Sequence, residues 1–89
     1  MRPRINSKFG TISFEELFSH LKNNCVQGTV VKRLDNSNIY KFLIMFRSTR
    51  NRPESLCVEV SRKSKMVLGA WTDKIKFETK KQLLNYTTL

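Results

Sequence analysis

The sequence predicts an α+β fold of two layers, in which a four-stranded antiparallel meander carries its helices on one face, in the order α-β-β-β-β-α. An amphipathic helical pattern near the start, four alternating or β-branched runs and a second helical pattern at the end predict this order. The connections between the runs are short and polar, which favours antiparallel neighbours. Residues 1–12 are expected to form an irregular N-terminal segment and residues 13–89 a single small domain.

The first helix is predicted over residues 13–24. Ser13 and Glu16 have the spacing of a capping box, in which a hydroxyl and a carboxylate bind the unpaired N–H groups at the start of a helix. The apolar residues that follow recur at the spacing of a single helical stripe. They are Phe14, Leu17, Phe18 and Leu21.

Four strand patterns come next. The β-branched run at 29–34 ends in four turn-forming residues. The run at 39–46 is apolar on nearly both faces, which is typical of a central strand that a helix covers on one side. Residues 56–60 alternate, and residues 66–71 form the fourth strand, in which Gly69 indicates a weak point or a bulge.

A second helix is predicted to begin near Glu78 and to end at Tyr86. Leu83 and Leu84 supply its apolar side chains, and residues 87–88 are expected to fray beyond it.

Charge is the strongest functional signal. The chain has 17 Lys and Arg against 7 Asp and Glu, a formal net charge of +10, with 39% hydrophobic residues. That composition is too apolar for a disordered basic tail, and the basic residues are interleaved with apolar ones as on a folded surface. Such a surface attracts polyanions, of which nucleic acid is the commonest.

The predicted meander divides the basic residues between two ends of the sheet, about one strand length (~17–20 Å) apart. The turns at 35–38 and 62–65 lie at one end, and the loop at 47–53 lies at the other. The first end collects Lys32, Arg33, Arg62, Lys63 and Lys65. The second collects Arg47, Arg50, Arg52, Lys74 and Lys76, with Trp71 nearby.

The arginine loop at 47–53 is the better candidate for a binding site. Guanidinium groups match phosphate oxygens with two parallel hydrogen bonds and stack on exposed bases, which lysine does not do. Trp71 offers a stacking surface of the kind that single-stranded nucleic acid uses. The structural alternative is that Trp71 fills the hydrophobic core.

Nothing in the sequence indicates catalysis. His20 is the only histidine, the carboxylates are scattered, and no phosphate-binding glycine loop occurs. Cys25 and Cys57 lie too far apart in sequence for the usual metal-ligand spacing. We expect both to be small buried or half-buried hydrophobic residues in a reducing compartment. No catalytic residue, metal or cofactor is predicted.

These observations predict a small non-enzymatic nucleic-acid-binding protein, cytoplasmic or with nucleic acid in a nucleoid or nucleus, and leave DNA and RNA both open. The alternative is a protein-interaction module, an inhibitor or adaptor docking on an acidic partner through anchors such as Tyr40 or Trp71. Anionic membrane surfaces are a third class of partner. A homodimer through a sheet edge is a further alternative. No apolar run reaches the roughly 18 residues of a membrane span.

Overall fold

The structure, a computed structural model, describes residues 9, 11–24, 27–35, 38–48 and 50–88. The predicted α+β class is confirmed, with an open antiparallel sheet and a helix before and after it in the chain. The elements are α1 (Phe14–Asn24), β1 (Gln27–Asp35), β2 (Ile39–Arg47), β3 (Pro53–Ser61), β4 (Val67–Trp71), β5 (Lys76–Phe77) and α2 (Lys80–Tyr86).

The sheet has five strands instead of the predicted four, in the order β1-β2-β3-β4-β5. The additional strand, β5, is two residues long and pairs with the end of β4. Thr72 closes the hairpin between them: its Oγ1 accepts hydrogen bonds from the N–H groups of Lys74 and Ile75 at 3.2 and 3.0 Å. A strand of two residues leaves no alternation to detect, so the sequence pattern gave no sign of it.

Both helices pack on the same face of the sheet. On α1, the Phe14 ring stacks on Phe42 of β2 with centroids 4.1 Å apart. On α2, Tyr86 meets Phe46 of β2 edge to face at 6.4 Å. Positions 42 and 46 are an even number of residues apart on one strand, so their side chains point to one side. That side holds the core, and Leu56, with no exposed surface, lies near its centre.

Capping residues set both helix starts. The Ser13 hydroxyl accepts from the Glu16 N–H at 3.1 Å, as the capping-box spacing predicts. The Glu16 carboxylate also forms an ion pair with Lys80, 3.0 Å away, which links the two helices. The second helix begins at Lys80, two residues after the predicted start, because Thr79 is its N-cap and forms a capping box with Gln82.

The end of α2 is packed and hydrogen-bonded, so the expectation that residues 87–88 fray is wrong. Thr87 is 1% exposed, and its hydroxyl donates to the Leu83 and Leu84 carbonyls. The Thr88 hydroxyl donates to Leu84 O at 2.8 Å and lies 2.7 Å from His20 Nε2. The two hydroxyls thus pair the Leu84 carbonyl, one of the groups that a helix end otherwise leaves without a partner.

Most of the predicted irregular segment, residues 1–8 and Gly10, lies outside the described residues, and so does Cys25. The described end of the N-terminal segment packs on the domain. Phe9 and Ile12 are buried, and the Ile12 carbonyl accepts a hydrogen bond from Val67 at the start of β4.

Tyr86 gives the fold a testable pH dependence. Its hydroxyl donates to the Glu54 carboxylate, and burial, then this bond and the Glu54 charge, raise the pKa of Tyr86 above its usual value of 10.0. Because the folded-state pKa exceeds that of the unfolded chain, the stability that the Tyr86–Glu54 bond contributes is complete below about pH 10 and is lost as the pH rises above it.

We expect urea unfolding at a series of pH values to show a steeper alkaline loss of stability for the wild type than for Tyr86→Phe. Equal alkaline losses of stability in the two proteins would contradict a raised pKa for Tyr86.

Candidate nucleic-acid interface

The face of the sheet opposite the helices, called here the open face, is not covered by any helix of the described part of the chain. Val30, Leu34 and Met45 lie on this face and are 58%, 47% and 43% exposed. The register aligns Val30 with Met45 and Leu34 with Lys41 across β1 and β2. Within the described residues, this face is therefore the part of the sheet surface that is accessible to a partner.

One row of residues crosses all five strands on the open face. The register aligns Lys32 with Leu43, Leu43 with Cys57, Cys57 with Trp71, and Trp71 with Lys76. Residues aligned in this way project to the same side of a sheet. This cross-strand row therefore has an exposed lysine at each end, and three half-buried side chains lie between the lysines.

Trp71 lies on the open face and not in the core on the helix side, so the alternative that it fills that core is wrong. Its neighbour Ala70 is 1% exposed and is aligned with the buried Val58, which places Ala70 on the helix side. Because successive residues of a strand alternate, Trp71 points the other way. The aromatic and cation–π contacts found among the described residues do not include it.

The loop between β2 and β3 is held by one buried hydroxyl. Ser48 is 2% exposed, and its Oγ accepts from the N–H groups of Arg50 and Arg52 at 3.2 and 3.4 Å. Asn51 adopts a left-handed backbone with φ of 61°, which Asn tolerates better than most residues. Arg47 Nη1 donates to the Asn51 carbonyl at 3.0 Å. These bonds hold the described residues of the loop, while the side chains of Arg50 and Arg52 are exposed.

The structure brings the arginine loop and the β4–β5 hairpin together at one end of the sheet. Arg52 and Lys74 line the same shallow groove, about 440 Å³ in volume, along with the acidic Glu54 and Asp73. Lys74 also lines a second depression of about 690 Å³, whose other residues include Trp71 and Lys76 of the cross-strand row. Arg47 ends β2 on the open-face side, two residues after Met45.

The other predicted cluster is divided by the sheet. Arg33 and Arg62 lie on the helix side, with their guanidinium carbons 5.0 and 5.8 Å from the centroid of the Tyr40 ring. Lys32 projects from the open face instead. Lys63 is exposed in the β3–β4 turn, and the backbone carbonyl of Lys65 accepts a hydrogen bond from Phe14 at the start of α1. Arg33 and Arg62 therefore pack on an aromatic ring, a structural use of arginine.

Sequence reasoning missed three residues of the open face. Lys41 contributes a charge there and pairs with Glu59, with the Nζ–Oε2 distance 3.8 Å. Leu43 and Cys57 form the middle of the cross-strand row. The alternation along β2 could have identified Lys41 and Leu43, because the odd-numbered positions lie on the face opposite to that of the buried Ile44 and Phe46.

Among the described residues, no helix is long and apolar enough to cross a membrane. Within that same part of the chain, no three His, Cys, Asp or Glu side chains are grouped so that they could hold a metal ion. In the described sheet β1 pairs only with β2 and β5 only with β4, so these strands are the two edges at which the homodimer alternative would form.

Comparison with known proteins assigns no family to this chain. No family model matches it, and no curated protein or solved structure is significantly similar to it. The interpretation of the site therefore depends on its own geometry.

Proposed function

We propose that this protein binds nucleic acid without catalysing a reaction, and that it contacts phosphates through the arginine loop and the two lysines of the cross-strand row. The observation that carries the proposal is that these groups lie along and at the end of one face of the sheet. Lys32 and Lys76 border the open face, and the exposed Arg50 and Arg52 lie at its end.

Phosphate contacts of this kind release counterions, so affinity falls with salt in proportion to their number. Five basic residues contribute: Lys32, Arg47, Arg50, Arg52 and Lys76. For a single strand they correspond to a log–log salt slope of about −3.5, which is roughly a hundredfold loss of affinity between about 50 and 200 mM salt.

Fluorescence anisotropy with labelled mixed-sequence oligonucleotides, single-stranded and duplex, measures this dependence. Binding at about 50 mM salt with a slope near the expected value supports the proposal. Absence of binding to both oligonucleotides at that salt concentration would refute it.

Exposed apolar residues favour a second candidate, a module that docks on an acidic protein surface. Val30, Leu34 and Met45 lie on the open face around Lys32, and mixed apolar and basic surfaces of this kind occur at protein interfaces. A pull-down with and without nuclease, at moderate salt, separates the candidates. A protein partner retained after nuclease treatment favours docking, whereas loss of all bound material favours nucleic acid.

A further inference from the structure

We infer that the open face selects single-stranded over duplex nucleic acid, with Trp71 as the surface on which an unpaired base stacks. This inference rests on the proposed function and assigns a substrate class to the same site. It follows from the shape of the sheet, the position of Trp71 and the charges at the two ends of the cross-strand row.

The width of the sheet argues against insertion into a duplex. Five strands span four inter-strand spacings, or about 19 Å, whereas the major groove of B-DNA is about 12 Å wide. A helix or a two-stranded ribbon fits that groove, but a face of five strands does not. The open face therefore meets a duplex only at the phosphate backbone.

The helices offer no substitute for groove reading. The first turn of α1 carries Glu15 and Glu16, and these acidic side chains would face the negative phosphates. Helix α2 is only seven residues long, and its Lys80 is engaged with Glu16. Both helices also pack against the sheet through their apolar residues, Leu17 and Leu21 on α1 and Leu83 on α2.

The cross-strand row suits a splayed single strand. Trp71 is half-buried and lies beside Cys57, which is aligned in turn with Leu43, and base–aromatic stacking tolerates every base. Lys76 is aligned with Trp71 on the neighbouring strand, and Lys32 lies three inter-strand spacings away, about 14 Å. A strand that crosses the row would place phosphates near both lysines while one base covers the indole.

The charge of the open face favours a single strand of nucleic acid over an apolar ligand. Lys32 and Lys76 border the row, and Arg47 lies at the loop end of the face. The acidic Glu59 on the face is paired with Lys41. The basic groups at both ends of the row complement the regularly spaced phosphates of a nucleic-acid strand.

Trp71 is the only tryptophan, so its intrinsic fluorescence reports directly on stacking. The probe is a dT oligomer of about twelve nucleotides, and a duplex of equal length is the comparison. We expect dT to quench the fluorescence more strongly than the duplex does. We also expect Trp71→Ala to lower the affinity for dT by about ten- to a hundredfold with little change for the duplex.

Trp71→Phe keeps an aromatic ring, and we expect it to recover most of the affinity for dT. If Trp71→Ala is not folded by circular dichroism, the Phe variant and the quenching of the wild type decide the question. A wild type that binds both oligonucleotides equally, with no quenching by dT, overturns the single-strand inference and leaves the proposed function standing. A wild type that binds neither oligonucleotide at low salt overturns the proposed function itself.

Discussion

Replacing Arg47, Arg50 and Arg52 together by Ala is expected to lower the affinity for single-stranded nucleic acid by roughly a hundredfold at about 50 mM salt. Each lost phosphate contact removes about 0.7 from the salt slope, so the slope should change from about −3.5 to about −1.4. Arg50 and Arg52 are exposed. The variant loses the Arg47 side-chain bond to the Asn51 carbonyl, but the backbone N–H groups of residues 50 and 52 still donate to the Ser48 hydroxyl. The variant should therefore keep its fold, and anisotropy titrations over a range of salt measure the change.

A variant of equal charge on the helix side is the matched control. Replacing Lys22, Lys80 and Lys81 by Ala also lowers the net charge from +10 to +7, because each variant loses three positive charges. These lysines lie on α1 and α2, away from the open face. Long-range attraction alone should cost this control about fivefold at most. Equal losses in the two variants would mean that net charge, and not the arginine loop, determines binding.

Leu56→Ala is expected to lower the free energy of unfolding by about 3 kcal/mol, whereas Leu43→Ala is expected to lower it by about 1 kcal/mol. The two leucines lie on adjacent strands but on opposite faces of the sheet. Leu56 has no exposed surface and contributes to the core beneath the helices, so its truncation leaves a cavity. Leu43 is only half-buried on the open face, where water fills the space left by truncation.

Urea unfolding of the two variants measures the difference between the faces. The result expected is a larger decrease in midpoint for Leu56→Ala at an unchanged slope with denaturant. Equal decreases would contradict the assignment of an open face, because they would show that Leu43 is as well packed as Leu56. Repeating the measurement at several protein concentrations would then reveal whether a second copy covers it.

The main elements could be predicted because each has a strong local signal. The Ser13 cap and the stripe through Leu17 and Leu21 determine α1, and the alternation around Leu56 determines β3. The β4–β5 hairpin, which Thr72 closes, was not predicted, because the two residues of β5 are too few to show a period.

The candidate site was predicted only in part, because faces depend on register. Sequence order placed Lys32 and Arg33 in one cluster, but alternation along β1 sends them to opposite sides of the sheet. The position of Trp71 likewise depended on its alignment with Cys57, which composition cannot supply. The +10 charge indicated a class of partner, and the register indicates which basic residues border the open face.

An NMR titration of the ¹⁵N-labelled protein with a short single strand at low salt measures whether nucleic acid binds on the open face. We expect the largest amide shift changes in the cross-strand row, including Trp71 and its single indole signal, and in the loop at 48–52. The amides of α1 and α2 should change little, since both helices lie on the other side of the sheet. Shift changes centred on the helices, or on Arg33, Tyr40 and Arg62, with an unperturbed indole signal, would contradict binding on the open face.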